Sequence, residues 1–135
     1  MSALVVYYSY TGHAKKRAET FAAAESAPLA EIKEVERPGK LQAYTTACFA
    51  AMRGKPWPIQ PLDSDLAAYD KIVLFAPVWA NNPPPFVYAF FDQLPAGKAV
   101  TVNLVSGSGK GDCKERLEAI LKAKGCTLEG YQVFK

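Results

Sequence analysis

The sequence predicts an α/β protein, a three-layer sandwich in which helices cover both faces of a five-stranded parallel sheet. Three observations point there. Residues 3–8 and 72–75 are unbroken apolar runs of strand length, as strands buried on both faces require. Between the strand-like segments, apolar residues recur at helical spacing. Five strand-like and four helix-like segments alternate along the chain, a pattern that yields parallel pairing with crossover helices.

The first strand, residues 3–8, runs into a helix from His13 to about Ala24. On that helix Ala14, Ala18, Phe21 and Ala22 recur at helical spacing, while Lys15, Lys16 and Glu19 face water. Pro28 breaks the chain, and residues 29–35 alternate apolar and polar side chains as an edge strand does. Pro38 and Gly39 make a turn. Leu41, Tyr44, Cys48 and Met52 then share one helical face, and Gly54 stops the helix. Pro56, Pro58 and Pro61 forbid regular structure before the third strand at residues 71–76.

Prolines 83, 84 and 85 suit the first turn of the next helix, which points Phe86, Val87, Phe90 and Leu94 at the core. A turn at residues 95–97 leads to the fourth strand, residues 99–105. Asp112 caps a helix with apolar Leu117, Ile120 and Leu121, which ends near Gly125. Residues 126–134 read as a fifth strand, interrupted at Gly130 by a bulge or bend.

Composition narrows the function classes. The 135 residues suit one domain, residues 1–135, able to hide roughly two-thirds of its unfolded surface. Half of the residues are hydrophobic, which argues against disorder. No secretory-type leader and no bilayer-length apolar run is present, so a cytoplasmic location without membrane contact is the default expectation. Cys48, Cys113 and Cys126 are an odd number at wide spacing, and His13 is the single histidine, so neither a disulfide framework nor a metal site is expected. A net charge of +3 on scattered basic residues gives no nucleic-acid surface.

Three loops follow strands, at residues 9–13, 77–83 and 106–111, and should meet at the carboxyl edge where such sheets bind ligands. In the first, Ser9 and Thr11 offer hydroxyls, Tyr10 lies between them, and Gly12 permits close backbone approach. Opening a helix, this loop suits an anion, phosphate above all, with an ordinary turn and helix cap as the alternative. It lacks the lysine of a phosphate-binding P-loop and the glycine triplet of a dinucleotide fold. His13 and Lys15 sit close enough to add charge, although no neighbouring carboxylate prepares His13 for catalysis, and Lys15 reads as solvated surface.

The second loop, Pro77, Val78, Trp79, Ala80, Asn81, Asn82, sets a flat indole beside that anion site. Trp79 reads as the cover for an aromatic ring, or as a plug between helix and sheet. The third loop, with Ser106, Gly107, Ser108 and Gly109, has small side chains that let backbone N–H groups reach a planar ligand. Lys110 could balance charge on such a ligand. Cys113, at a helix start, is placed where a thiol pKa falls.

From Leu4 to about Phe134 the chain resembles the flavodoxin family. The family's phosphate loop is a hydroxyl residue, any residue, Thr, Gly, any residue and a second hydroxyl residue. Here it reads Ser9, Tyr10, Thr11, Gly12, His13 and Ala14, so Ala14 stands in place of the last hydroxyl. Residues 77–79, with the prolines and Phe86 that follow, are similar to the loop that lays an aromatic against the isoalloxazine. Gly97 and Lys98 resemble the turn before the fourth strand, and residues 106–109 resemble the flavin loop after it.

The resemblance implies non-covalently bound FMN, its phosphate at residues 9–13 and its ring between Trp79 and the loop at 106–111. Backbone groups of Asn81, Asn82 and residues 106–109 would then tune the potential. It implies an electron carrier with a redox partner protein or a small-molecule acceptor, and no catalytic side chain. An NAD(P)H-dependent flavin or quinone reductase, and a flavin-less interaction module, are the alternatives. Two departures stand out. The sequence stops just past the fifth strand, without the family's final helix, so an apolar sheet face near the first and third strands is expected to be open and a homodimer to cover it. Electron-shuttling flavodoxins are also usually acidic, and this chain is basic.

Overall fold

The computed structural model describes residues 2–37, 39–107, 109 and 111–135, with the side chains of 42–44 also set aside. Five strands form one parallel sheet: β1 Ala3–Tyr7, β2 Leu29–Glu31, β3 Lys71–Pro77, β4 Ala99–Val105 and β5 Thr127–Phe134. Their order is β2-β1-β3-β4-β5. The helices are α1 His13–Glu25, α2 Lys40–Gln42, α3 Cys48–Arg53, α4 Pro85–Asp92 and α5 Lys114–Ala123. A π-helical turn, Ala43–Ala47, joins α2 to α3, and a 3₁₀ turn, Leu66–Ala68, precedes β3. The predicted α/β sandwich is the observed one.

Strand alternation splits the core between two layers. Leu4, Val6, Tyr8, Ile72, Leu74, Val100, Val102 and Leu104 face α4 and α5, where Phe86, Phe90, Phe91, Leu117 and Leu121 are buried. Each such side chain contributes about 1.5–3 kcal/mol by leaving water. Val5, Tyr7, Val73 and Phe75 face the other way, against Ala14, Ala18 and Ala22 of α1. Helix α4 starts with Pro85, after Pro84 at its cap, as a residue without an N–H donor should.

Four expectations need correction. β2 is paired over only Leu29–Glu31, and Glu34 makes an isolated bridge to Ile59 instead. Asp112 does not cap α5: Cys113 holds that position, and no side chain caps the helix. The helical stretch at 40–53 buries Ala47, Ala50 and Ala51, which let it approach closely, while Leu41 and Met52 stay exposed. Finally, α1 covers β1 and β3. The open part of that face lies over β4 and β5, where Asn103, Gln132 and Phe134 line a cavity. The apolar face on which self-association was expected is therefore not at β1 and β3.

The bulge expected at Gly130 is present. The β4–β5 register shifts there, so that Leu128 pairs with Val100 and Gly130 with Thr101. The turn at Pro38 and Gly39 falls partly outside the described residues.

Candidate functional site: a cavity at the β1–β3 switch

Because β1 and β3 are neighbours from which the chain departs in opposite directions across the sheet, the loops after them open a crevice at their carboxyl ends. A cavity of about 710 Å³ lies there, a size that suits a small-molecule ligand. Tyr10 and Thr11 line it from the first loop, and Val78, Trp79 and Ala80 from the second. Lys40, Thr45, Cys48, Phe49 and Met52 form its remaining wall. No carboxylate is among these described lining residues.

The first loop is held by itself. The Gly12 N–H donates to Ser9 Oγ at 2.8 Å, and Gly12 takes φ 102°, where a side chain would be strained. Open space lies where a Cβ on Gly12 would point. Gly12 precedes α1 without any side-chain cap, and no acidic residue occupies the first turn. The leading N–H groups of α1 are thus available to an anion, with His13, Lys15, Lys16 and Arg17 following them. Thr11 and His13 are exposed, whereas the Ala14 side chain is buried against the sheet beside Val5 and Tyr7. Only the backbone of Ala14 can face a ligand.

A cation not singled out in the sequence stands over this loop. Arg37 Nη2 donates to the Tyr10 carbonyl at 2.6 Å, and its guanidinium lies 4.1 Å from the centre of the Tyr10 ring. Glu34 holds both sides of the arrangement: its Oε2 accepts from Tyr8 Oη at 2.6 Å and lies 3.9 Å from Arg37 Nη1. Burial and this carboxylate push the Tyr8 phenol far above its ordinary pKa, so it remains a donor. In sequence, nothing local ties residue 37 to residue 10; only the return of β2 beside β1 brings them together.

The second loop is a tight turn. Trp79 and Asn82 exchange backbone hydrogen bonds at 2.6 and 3.0 Å around Ala80 and Asn81, both with positive φ (53° and 66°). This is type I′ geometry, which strains Ala80 and presents the Trp79 ring to the cavity. The half-buried indole meets Tyr8, Tyr10 and Phe86 edge-on, with centroids 5.6 to 6.4 Å apart. The packing shows the plug, above Phe86, and the same ring also lines the cavity.

Asn82 is buried and shares its Oδ1 between Tyr88 Oη at 3.3 Å and Arg116 Nη1 at 3.0 Å. The same Arg116 nitrogen donates to the carbonyls of Met52 at 2.5 Å and Ala51 at 3.3 Å. One guanidinium thus joins the Trp79 loop to the carboxyl end of α3, the two walls of the cavity.

The third loop follows β4 and stands beside the second. Val78 N–H donates to the Val105 carbonyl at 3.1 Å, and a Cβ on Gly111 would come within 3.1 Å of Val78 Cγ2, a tight approach between the two loops. Ser106 is buried, its N–H bonded to the Phe134 carbonyl at 2.8 Å; Gly107 is exposed, and Gly109 donates back to the Ser106 carbonyl at 3.0 Å. Ser108 and Lys110 lie outside the described residues. Tyr131 of β5 holds this loop by donating to the Gly111 carbonyl at 2.5 Å. Cys113 sits 3.4 Å from the same phenol. Its burial raises the thiol pKa, the opposite of the expected shift, because desolvation outweighs the Tyr131 hydrogen bond and the Arg116 charge that favour the thiolate.

The three loops therefore meet at one edge, as expected. The cavity wall at residues 40–53 was not foreseen as part of the site. Its signal was visible: a helix whose larger apolar residues have no strand beside them to cover. Among the described residues, no three His, Cys, Asp or Glu side chains could share a metal ion, and no helix is long and apolar enough to cross a membrane.

No family model matches the sequence, and no curated protein matches it. Solved structures do match. A flavoprotein of Lactobacillus acidophilus NCFM, solved in complex with FMN, aligns with a TM-score of 0.81 at 24% identity, over 98% of this chain and 92% of that one. The apo-form of the flavoprotein from the same organism gives 0.72 at 22% identity, over 97% and 91%. Two-electron reduced flavodoxin of Megasphaera elsdenii gives 0.62 at 21% identity, over 98% and 85%. The chain has the flavodoxin-like fold.

Proposed function

We propose that the protein binds FMN in the cavity at the β1–β3 switch and works as an electron carrier. The observation that carries this reading is the junction of two different surfaces. An uncapped helix start with open space at Gly12 adjoins an apolar cavity that contains the Trp79 ring. The residues present suit the cofactor. Ser9, Thr11 and the leading N–H groups of α1 would hold its phosphate, and Tyr10, Val78 and Trp79 would meet its ring. The backbone of Ala80, Asn81 and Gly107 would supply polar contacts to the ring edge. Bound there, the flavin supplies the capacity to take up and release one or two electrons, and the protein sets where they enter and leave.

Each chain residue has a definite task in this reading. Gly12 keeps the phosphate loop open, and Arg37 stiffens it by clamping Tyr10. Arg116 sets the spacing between the Trp79 loop and α3. The apolar wall of Phe49 and Met52 limits water beside the ring, and Lys40 places a positive charge at the mouth.

The deciding experiment is the visible absorption spectrum of purified protein before and after FMN addition, with unbound ligand removed. A retained flavin band is expected. Protein that stays colourless overturns the reading in favour of an interaction module. Oxidation of NADH or NADPH without any partner protein would replace the carrier with a reductase.

A further inference from the structure

The outer wall of the cavity carries charge of one sign. Between Arg37 and Leu62 the sequence contains Arg37, Lys40, Arg53 and Lys55 and no aspartate or glutamate. The chain has 16 basic and 13 acidic residues, so without these four the acids outnumber the bases. This stretch, bounded by Glu36 and Asp63, is therefore one acid-free basic run, besides Lys15, Lys16 and Arg17 of α1. Arg37 is engaged with Glu34 and Tyr10. Lys40, Arg53 and Lys55 are exposed, and none forms an ion pair among the described residues.

The same stretch is where the molecule exposes apolar side chains. Leu41 (79% exposed), Phe49 (58%) and Met52 (48%) are three of the five large exposed hydrophobic residues among the described ones. Phe49 and Met52 also line the cavity, so this apolar surface reaches its mouth. A compact apolar centre with a charged rim is the make-up of a protein docking site rather than of ordinary surface. Three free cations fall short of the clusters of four to eight that hold a protein to anionic lipid.

We propose that Leu41, Phe49 and Met52, rimmed by Lys40, Arg53 and Lys55, form the docking surface for an acidic electron-transfer protein. The proposal rests on the reading of the adjoining cavity as a redox site. It gives these cations a purpose: opposite charge steers the partner to the mouth of the cavity, and apolar contact holds it there.

The test uses oxidised plant-type [2Fe–2S] ferredoxin as an acidic probe and cytochrome c as a basic one, each titrated calorimetrically against the protein. FMN retention is read on the same samples. Ferredoxin is expected to bind, with affinity falling about tenfold or more between about 20 and about 200 mM salt. An Arg53→Glu/Lys55→Glu double variant should lose about tenfold in ferredoxin affinity while FMN uptake stays unchanged, because neither residue lines the cavity. Leu41→Ser should lower affinity and leave the salt slope unaltered. Unchanged ferredoxin binding by the charge-reversed variant overturns the proposal, as does equal binding of cytochrome c. So does protein that sediments with phosphatidylserine vesicles and ignores ferredoxin. Protein that retains FMN and binds no ferredoxin sinks the docking surface alone; protein that retains no FMN sinks the redox reading.

Discussion

Trp79 sits at the centre of a cluster in which Tyr8, Tyr10 and Phe86 meet it edge-on, and it also lines the cavity. Replacing it with alanine should weaken FMN binding by about 1–2 kcal/mol, roughly five- to thirtyfold in Kd, the scale of one aromatic stack. Quenching of flavin fluorescence on titration measures this, and unchanged affinity would place the ring elsewhere. Residues around Trp79 divide into those that touch the cavity and those that only shape it. Ala14, aligned with a hydroxyl position in the family pattern, has its side chain in the core beside Val5 and can contribute only its N–H. Asn82, read from sequence as a backbone contact, is instead a buried side chain that bonds to the carbonyl of Ala80 at 2.8 Å and fixes the turn.

At the scale of elements, the cavity depends on a helix that has little of its own to hold it. α3 is six residues long and buries alanines, so its position relies on partners outside it. Arg116 is one such partner, bound to the last carbonyls of α3 and to Asn82 at once. Arg116→Ala should cost about 1–3 kcal/mol, because a buried amide oxygen and a helix end both lose a charged donor. FMN affinity should fall as well, and Arg116→Lys should recover part of it. Urea unfolding and flavin titration on the same variants read the two effects. A loss of stability with FMN affinity intact would reduce Arg116 to a purely structural residue. The π-helical turn between α2 and α3 belongs to the same element and interrupts the helix beside the cavity, where such turns are often found.

The whole molecule keeps several proton donors in the layer that packs against α4 and α5. Burial raises the pKa values of Tyr8, Tyr88, Tyr131 and Cys113 above their ordinary ranges. Each therefore keeps its proton in the folded chain at a pH where the unfolded chain has lost it. The sign follows directly: these groups favour the fold fully below their unfolded pKa values, near 9 for the thiol and 10 for the phenols, and the advantage is lost as pH rises above them. Urea midpoints should stay level from about pH 7 to about pH 8.5 and fall steadily beyond about pH 9.5. A midpoint that holds constant to about pH 11 would contradict this account.

Much of this protein was legible in its residue order. Period and punctuation decide strands and helices locally, so the five strands, their parallel pairing and the edge at which three loops converge followed from apolar runs, glycines and prolines alone. Gly12 and the Trp79 loop were readable for the same reason, since backbone geometry and a ring's surface are properties of a few adjacent residues. What the sequence did not disclose are contacts between segments far apart in the chain. Arg37 on Tyr10, Arg116 between α3 and Asn82, and the wall at residues 40–53 exist because the sheet brings those segments together. The Cys113 shift belongs to the same class: desolvation depends on everything packed around a group, and only the tertiary structure decides what that is.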